Sequence, residues 1–461
     1  MHSLNQAAKV YVVSLGCPKN LVDTEIMLGR LAQQGWEVTD APEDAALLLV
    51  NTCGFIEPAC QEAVDTILAL AASKKSEAGQ RLAVAGCLVQ RYGHDLAAQL
   101  PEVDYFIGVN DFPRLPEILA IPPEAGQGRI WHEAPPYVFG EVQPRFAATP
   151  PHLAYLKIAE GCSHRCTFCL IPRIRGPYRS RPLPALLEEA RRLAAQGVKE
   201  LLLVAQDTTA YGRDWGGRPN LADLLAQLAQ IPGFAWIRLL YAHPAHVTPG
   251  LLRTMAAHPR ICPYLDLPIQ HGHDVMLRRM GRGYRRQRIL AVCQSIRQAL
   301  PQATLRTTVM VGFPGETEEH FEALVALVQE VRFDHLGVFV YSPEAGAPAL
   351  RLGPPPPRRV ARRRARALMA LQAKMVKARL KALVGAVQPV MLDGLSAESD
   401  YLLSGRLMSQ APDIDGQVYL TDGIGRPGEI LPAKITRALA YDLVGRLLNG
   451  ASPDLPQGAP E

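Results

Sequence analysis

Glu160-Gly-Cys-Ser-His-Arg-Cys-Thr-Phe-Cys169 contains three cysteines in Cys-x3-Cys-x2-Cys spacing, directly after an apolar, strand-like run from Leu153 to Ala159. Thiolates at such short spacing can converge on one inorganic centre, and three from one loop suit an iron–sulfur cluster. A four-iron cluster held by three thiolates leaves one iron free for a non-protein ligand. The alternatives are three unrelated core thiols or a zinc site, which normally takes a fourth Cys or His. His164 is the candidate fourth ligand, but it lies inside the tight loop.

The length and composition describe a multidomain globular protein. At 461 residues we expect about three domains, and the 48% apolar and 20% charged content is ordinary for such proteins. No apolar run approaches the ~18 residues of a membrane span, and residues 1–9 do not resemble a signal peptide. Nine cysteines without a secretory signal favour reduced thiols and metal chemistry over disulfides. We therefore expect a cytoplasmic protein with no membrane association.

The net charge of +5 is unevenly distributed. Residues 358–381 carry ten Lys and Arg and no acid, so the remaining chain sums to −5. The sequence from Arg358 to Val384 predicts a long helix that connects two domains across residues 356–384. We expect its apolar residues to dock on the preceding domain and its arginines to be solvated, with a phosphate-binding helix as the alternative. The apolar residues are Val360, Leu368, Leu371 and Met375.

The first 145 residues predict a parallel-sheet α/β domain, because short apolar strands alternate with helices. The predicted strands are 10–16, 47–51 and 81–85, and the predicted helices are 21–34 and 57–73. Cys17, Cys53 and Cys87 each follow a strand by one to three residues. Parallel strands bring their carboxyl ends to one edge, so we expect these thiols to meet there and to hold a second cluster. Coincidence among three buried cysteines is the alternative. The remaining cysteines are predicted to be core residues: Cys60, Cys262 and Cys293.

Residues 146–355, which begin at the Pro-rich stretch 149–151, predict six βα units in series. The strand-like runs are 154–159, 200–205, 236–241, 264–269, 305–311 and 336–341. The pattern favours a partial TIM-like (β/α)6 barrel, whose active site should lie at the carboxyl ends of the strands. The polar groups placed there are Gln206, Asp207, His243, Gln270, His271, Gly312 to Glu316, Tyr341 and Ser342.

Residues 385–449 contain short β-like runs broken by Gly and Asp turns, a pattern that predicts a small antiparallel barrel of the oligonucleotide-fold type. The runs are 388–392, 401–403, 417–421 and 433–438. Eight acids against five bases match a basic protein better than phosphates. We expect residues 450–461 to be a disordered tail.

The cysteine loop resembles that of the radical S-adenosylmethionine enzymes. With the second cysteine set and the small barrel, residues 9 to 447 resemble the methylthiotransferases, whose terminal barrel is the TRAM domain. Four motifs resemble the RimO type within that family: Ser14 to Asn20, Asn51 to Ile56, Gln206 to Gly212 and Ala411 to Gly416.

This resemblance implies two four-iron–four-sulfur clusters, a radical-generating one on Cys162, Cys166 and Cys169 and a sulfur-carrying auxiliary one on Cys17, Cys53 and Cys87. It implies S-adenosylmethionine as methyl donor and radical source, with a methylthio group added to the β-carbon of an aspartate of small-subunit ribosomal protein twelve. In the family, Phe168 would lie near the adenine. Further candidate cofactor contacts, placed by strand end only, are Gln206, Arg306 and Gly312.

Two alternative functions remain at this point. The first is a tRNA adenosine methylthiotransferase of the MiaB type, against which the acidic barrel and the Cys-Pro-Lys-Asn motif at residues 17–20 speak. The second is a non-catalytic iron–sulfur or RNA-binding module. As partners we expect the ribosomal protein or the small subunit, an electron donor such as flavodoxin or ferredoxin, and a sulfur donor. We expect the enzyme to be a monomer.

Overall fold

Two open parallel sheets and one closed barrel organise the chain. The computed structural model describes residues 7–75, 79–123 and 128–448, so the expected tail at 450–461 lies outside the described residues. Each six-stranded sheet belongs to an α/β unit, and a long helix leads from the second unit to the barrel. Within the described ranges, no helix is both long enough and apolar enough to cross a lipid bilayer.

The N-terminal sheet has the strand order β2-β1-β3-β4-β5-β6, and every neighbouring pair is parallel. Its strands are β1 (Lys9–Ser14), β2 (Glu37–Val38), β3 (Leu47–Thr52), β4 (Arg81–Gly86), β5 (Tyr105–Ile107) and β6 (Arg129–Trp131). Its helices are α1 (Pro18–Gln33), α2 (Glu57–Ser73), α3 (Cys87–Gln99) and α4 (Leu115–Leu119). The parallel-sheet prediction is confirmed. The sequence prediction missed β2, β5 and β6, because two or three residues are too short to show a period.

The strands that carry the cysteines lie in the middle of this sheet. All six residues of β3 are buried, as expected for a strand covered by helices on both faces. Cys17 is the N-cap of α1, whose first residue is Pro18, and Cys87 is the first residue of α3. Both thiols therefore sit at strand-to-helix turns on the carboxyl edge.

The central sheet also contains only parallel pairs, in the order β14-β13-β12-β11-β10-β7. Its strands are β7 (Leu153–Lys157), β10 (Glu200–Val204), β11 (Trp236–Leu239), β12 (Ile261–Asp266), β13 (Thr304–Val311) and β14 (His335–Val340). Its helices are α5 (Ile171–Ile174), α6 (Leu183–Ala195), α7 (Leu221–Leu228), α8 (Pro249–Ala257), α9 (Asp274–Arg279), α10 (Arg286–Ala299) and α11 (Glu318–Val331). The strands follow one another in chain order and the sheet does not close. This confirms the partial barrel.

Helix α12 (Arg358–Lys381) packs against β14 and then reaches the C-terminal barrel. Leu368 is fully buried in the core of the central unit and Leu371 packs against it, whereas Val360 and Met375 are half-buried. Gln372 Nε2 donates to Phe333 O at 3.0 Å. The predicted docking of this helix is therefore confirmed, but the expectation that its arginines are solvated is wrong for Arg364, which is buried.

The C-terminal barrel closes in the order β15-β16-β17-β19-β18. Its strands are β15 (Val387–Ser396), β16 (Ser399–Arg406), β17 (Val418–Leu420), β18 (Ile430–Ala438) and β19 (Leu443–Leu447). Four of the pairs are antiparallel and β17–β19 is parallel. A closed ring with an odd number of strands cannot alternate direction throughout, so one parallel pair is required. The sequence prediction missed β19.

Candidate radical and iron–sulfur site

The loop with the Cys-x3-Cys-x2-Cys spacing lies between the two-residue strand β8 (Ala159–Glu160) and α5, beside β9 (Arg179–Ser180). Backbone hydrogen bonds hold it on both sides: Cys162 N donates to Gly176 O at 3.0 Å, and Thr167 N donates to Met280 O at 3.1 Å. Gly161 has a φ of +75°, and a Cβ there would lie 2.1 Å from a backbone carbonyl oxygen. Only glycine can start the loop in this position.

Of the three thiols of this loop, Cys162 is buried and Cys166 and Cys169 are half-buried. Burial, with a smaller contribution from the neighbouring Cys166, raises the pKa of Cys162 to about 11 and that of Cys169 to about 12. Arg282 Nη1 donates to Cys166 Sγ at 3.2 Å. The buried thiols therefore stay protonated at neutral pH until a metal displaces their protons, and Arg282 stabilises negative charge on the sulfur.

A cluster of imidazoles braces the loop against β10. Asp207 Oδ2 accepts hydrogen bonds from His164 Nε2 at 2.7 Å and from His246 Nδ1 at 2.8 Å. Burial would raise the pKa of Asp207, but these bonds hold it well below its usual range. The His243 ring stacks on His164 with a centroid separation of 4.1 Å. His243 Nδ1 accepts from Ala245 N, so its Nε2 carries the proton, and we interpret the cluster as a hydrogen-bonded brace.

The N-terminal cysteines meet at the carboxyl edge of their sheet. Cys17, Cys53 and Cys87 lie on three loops that touch one another. A Cβ on Gly16 would lie 2.8 Å from Cys53 Cβ, and a Cβ on Gly54 would lie 2.8 Å from the Cys87 carbonyl carbon. The close approach of these loops places Cys17, Cys53 and Cys87 at one edge of the sheet, and the shared ligand set stays a prediction.

The charges around this second trio differ from those around the first. Burial would raise the pKa of Cys17, but Lys19, Arg175 and two backbone amides outweigh it and lower that pKa overall. Burial raises the pKa of Cys87 to about 11 despite Arg175. Lys19 is itself buried, and its Nζ lies 3.3 Å from the centroid of the Tyr241 ring at the end of β11. In this trio, Cys17 is therefore the thiol that ionises most readily, next to the Lys19 ammonium from the same loop.

One buried guanidinium joins the two trios. Arg175 Nη2 donates to Cys87 Sγ at 3.3 Å, while its Nη1 donates to Asp23 and to Glu160 at 3.0 Å each. Glu160 stands two residues before Cys162. Arg175 is 2% exposed, so these bonds are formed away from water. The two cysteine sites are thus parts of one interface between the N-terminal and central units.

A cavity of about 640 Å³ opens between the same two units. Phe55 and Ile56, which follow Cys53, form one of its walls. The opposite wall comes from the cysteine loop and the carboxyl ends of the central strands: Phe168, Gln270, Thr308, Met310, Gly312 and Tyr341. Tyr341 Oη is buried and lacks a hydrogen-bond partner among the described residues. The size, the apolar walls and this unpaired hydroxyl suit a small organic cofactor.

The four candidate cofactor contacts have different surroundings. Phe168 lies edge-to-face with Phe313, at 6.5 Å between ring centroids. Gly312 has a φ of +76° and lines the cavity, but its N–H already donates to Glu316. Gln206 Nε2 donates to Glu160 at 3.3 Å, and the buried Gln206 Oε1 has no partner in the described ranges.

Arg306 is a correction to the strand-end placement. It is the third residue of β13, far from that strand's carboxyl end. Its guanidinium lies 3.7 Å from Asp266 and 3.4 Å from Asp415 of the C-terminal barrel. The predicted strand, 305–311, begins within one residue of the observed one, so Arg306 lies near the amino end of both and was not a strand-end residue.

The donor sets fit iron–sulfur clusters. Each site brings three thiols together and places a guanidinium on one sulfur. His164, the candidate fourth ligand of a zinc site, is bonded through Nε2 to Asp207 and belongs to the imidazole cluster. Three thiols leave one iron open, and the cavity beside Phe168 can receive its ligand.

The sequence reasoning missed the two arginines on the sulfurs. Arg282 stands between Gly281 and Gly283, both with a φ of +70°. Arg175 precedes Gly176, whose φ is +73°. An arginine beside turn glycines is a weak signal, because nothing in the local sequence shows which thiol it will meet.

Three family models match the chain. Residues 9–108 match the uncharacterized protein family UPF0004, residues 156–328 the radical SAM superfamily, and residues 384–448 the TRAM domain. The matches coincide with the N-terminal sheet, the central sheet and the C-terminal barrel.

Curated relatives match nearly the whole chain. Proteins named "Ribosomal protein uS12 methylthiotransferase RimO" from Geobacter sulfurreducens and Pelobacter propionicus are each 47% identical to it, over 96% and 95% of this chain and 100% and 98% of their own length. A protein of the same name from Trichlorobacter lovleyi is 48% identical over 95% of this chain and 98% of its own.

Solved structures support the fold. The radical S-adenosylmethionine methyltransferase TsrM from Kitasatospora setae superposes with a TM-score of 0.56 at 14% identity, covering 85% of this chain and 79% of its own. The cobalamin-dependent radical enzyme OxsB gives a TM-score of 0.53 at 14% identity, covering 75% and 55%. At this identity the likeness concerns the fold alone.

Proposed function

Because this chain belongs to the RimO family of ribosomal protein uS12 methylthiotransferases, we propose that it adds a methylthio group to the β-carbon of an aspartate in uS12, the small-subunit ribosomal protein twelve. One observation carries the proposal: two three-cysteine sites share an interface and are bridged by Arg175, beside one cavity. That arrangement suits a reaction in which a sulfur group and a carbon radical must meet at one substrate atom.

The cysteines are the proposed ligands of two four-iron–four-sulfur clusters, a radical-generating one on Cys162, Cys166 and Cys169 and an auxiliary one on the N-terminal trio. When bound with S-adenosylmethionine, these groups supply methyl transfer, sulfur, and hydrogen abstraction from a carbon that acid–base side chains cannot deprotonate. The protein positions the thiols and places a guanidinium next to one sulfur of each trio. Burial keeps water away from Arg175 and Lys19.

Four residues are proposed S-adenosylmethionine contacts. Phe168 supplies an aromatic wall next to Cys169, and Gly312 lets the chain pass close to the cavity without a side chain. Gln206 offers a buried carbonyl oxygen that has no partner among the described residues. Tyr341 joins this set because its hydroxyl is unpaired within the same described part of the chain.

The domain boundaries that we propose follow the elements. Residues 1–145 form the methylthiotransferase N-terminal domain, 146–355 the radical domain, 356–384 the connecting helix and 385–449 the TRAM domain. We further propose a monomer that works in the cytoplasm. It would receive electrons from a flavodoxin- or ferredoxin-type donor and sulfur from a separate donor.

The experiment that tests the function uses anaerobically reconstituted enzyme with reductant, a sulfur source and S-adenosylmethionine. It is offered uS12 and, separately, a tRNA anticodon stem-loop, and the products are analysed by mass spectrometry. A methylthio mass gain on a uS12 aspartate alone is the expected result. A gain on the RNA alone would reject the proposal in favour of the tRNA-modifying function.

The cluster assignment has its own test, the Cys53→Ala variant. We expect it to release 5′-deoxyadenosine from S-adenosylmethionine but to lose methylthiolation, because the radical-generating trio is intact. The matched control is Cys60→Ala, which changes a half-buried thiol on α2 and should retain both activities. Methylthiolation by Cys53→Ala would contradict the assignment of this cysteine.

A further inference from the structure

Four exposed arginines lie at the start of α12, and two of them share the rim of the 640 Å³ cavity with Glu57 and with Glu344, which is paired with Arg91. Arg358, Arg359, Arg362 and Arg366 are exposed, and none of them forms an ion pair with any residue in the described ranges. They line a shallow groove of about 580 Å³ with Val340 and Ala365. We call these four residues the arginine row.

Two neighbouring arginines of the same helix form ion pairs with glutamates. Arg364 is buried and bonds to Glu316 at 2.8 Å, and Arg363 lies 3.4 Å from the exposed Glu318. The helix thus uses some of its guanidinium groups to dock on the central unit and leaves the arginine row free. No acid occurs between residues 358 and 381 to neutralise it.

The arginine row adjoins the active-site cavity. Arg358 and Arg362 lie on the rim of the 640 Å³ cavity that Phe168 and Tyr341 line, and Val340 borders both depressions. Phe339 is on the same rim and is 54% exposed. When a substrate residue enters the cavity, the parts of the substrate next to it therefore contact guanidinium groups and an aromatic ring at the rim.

We propose that the arginine row binds ribosomal RNA phosphates next to uS12, so that the enzyme recognises the protein within the small ribosomal subunit. This inference rests on the proposed function. Residues 358, 362 and 366 repeat every four positions, about 6 Å apart along one helix face, which suits successive phosphates. Guanidinium forks bind phosphates in pairs of hydrogen bonds, and exposed aromatic rings stack on unpaired bases.

An acidic protein segment is the competing occupant, and the observations favour RNA over it. The proposed substrate belongs to a particle in which RNA phosphates surround the proteins. When the enzyme binds uS12 in that particle, RNA phosphates are therefore present next to the arginine row. The C-terminal barrel, with eight acids and five bases, is the module suited to a basic protein surface. The two charge types would then contact different components of one particle.

The test compares Arg358→Gln/Arg362→Gln/Arg366→Gln with Lys374→Gln/Lys377→Gln/Lys381→Gln. Both triple variants remove three positive charges from exposed positions of α12, the control at the opposite end. Binding of reconstituted enzyme to purified small subunits is measured from 50 to 200 mM salt. We expect the arginine variant to bind at least about tenfold more weakly at low salt, with the salt slope reduced by about 2, and the lysine variant to change little.

Activity on free uS12 separates this proposal from the proposed function. Arg358 and Arg362 lie on the cavity rim, so the readout is the ratio of two activities: the arginine variant should lose a larger fraction of its activity on assembled subunits than on free uS12. Equal losses in both triple variants, or unchanged subunit binding in the arginine variant, would overturn the RNA contact. Weaker binding to polyglutamate with unchanged subunit binding would assign the row to an acidic protein. Wild-type enzyme that modifies neither form of uS12 would instead reject the proposed function.

Discussion

Single residues set the charge around each cysteine site. Arg282 donates to Cys166 Sγ at 3.2 Å and Arg175 donates to Cys87 Sγ at 3.3 Å, so each trio has one guanidinium on one sulfur. Hydrogen bonds and positive charge at a cluster sulfur stabilise the reduced, more negative state. The two arginines therefore tune two clusters independently.

Replacing either arginine should lower the potential of one cluster only. Arg282→Gln removes a charge-assisted hydrogen bond, which we expect to shift the radical-site potential by roughly −50 mV, about 1 kcal/mol for one electron. Arg175→Gln should shift the auxiliary-site potential in the same direction. Redox titration followed by electron paramagnetic resonance measures both. Arg282→Lys keeps the charge and should shift less, and an equal shift of both clusters in one variant would contradict independent tuning.

His243 should make the stability of the cluster-free protein depend on pH. Burial is the main cause that lowers its pKa, from 6.5 to about 2, and the nearby Arg282, His164 and His246 add to it against the opposing Asp207. Between these pH values the unfolded chain binds a proton that the folded chain does not. Stability therefore falls as pH drops below 6.5, by up to about 1.4 kcal/mol per pH unit from this group.

The His243→Gln variant tests this dependence. Urea unfolding between pH 7 and pH 5 should show a shallower loss of stability than in the wild type, because the titrating group is gone. The difference between the two curves reports His243 together with its coupling to His164 and His246. Parallel curves would show that the pKa of His243 is the same in the folded and the unfolded chain.

At the scale of elements, α12 contains both a buried and an exposed ion pair. Arg364 is 4% exposed at its side chain and bonds to Glu316, which is fully buried. Arg363 and Glu318 are 66% and 55% exposed. Breaking a buried pair leaves an uncompensated charge in the interior, whereas an exposed pair is largely replaced by water.

We expect Arg364→Ala to destabilise the protein by about 3–5 kcal/mol and Arg363→Ala to change stability by less than about 1 kcal/mol. Urea unfolding of the cluster-free protein measures both under the same conditions. The second variant is the matched control, because it removes the same side chain from the adjacent position. Similar losses in both would show that Arg364 does not anchor α12 to the central unit.

At the scale of the whole molecule, buried charges fasten the C-terminal barrel to the central sheet. Glu200, at the start of β10, accepts hydrogen bonds from Arg238 Nε and from Arg406 Nη1 at 2.6 Å each. Arg406 belongs to β16 and also binds Asp393. The carboxylate and both guanidinium groups are nearly inaccessible to water. The position of the barrel relative to the cavity is therefore fixed by polar contacts.

Glu200→Gln should loosen this attachment. Two guanidinium groups would lose their shared anion, and we expect a loss of about 3 kcal/mol or more in unfolding free energy. Limited proteolysis should cut the segment between α12 and β15 faster than in the wild type. The exposed Glu398 provides the control, since Glu398→Gln should leave both measurements unchanged. Wild-type resistance to protease in Glu200→Gln would mean that apolar contacts suffice to hold the barrel.

The sequence by itself determined the six cysteines, the two parallel sheets and the order of the modules. Cysteine spacing and strand-to-helix alternation are local patterns, and parallel strands necessarily bring their carboxyl ends together. The sequence did not predict the parallel pair of the barrel or four of the short strands, β2, β5, β6 and β19. These elements are defined by pairing partners that lie outside the local sequence.

Only the tertiary structure decided which charges meet which thiols. The local sequence around Arg175, Arg282 and Lys19 does not show which sulfur or aromatic ring each of these side chains contacts. The contact between Arg306 and Asp415 is of the same kind, since the two residues are more than a hundred positions apart in the sequence. Electrostatic interactions depend on distance in space and on burial, and both are set when the three units pack together.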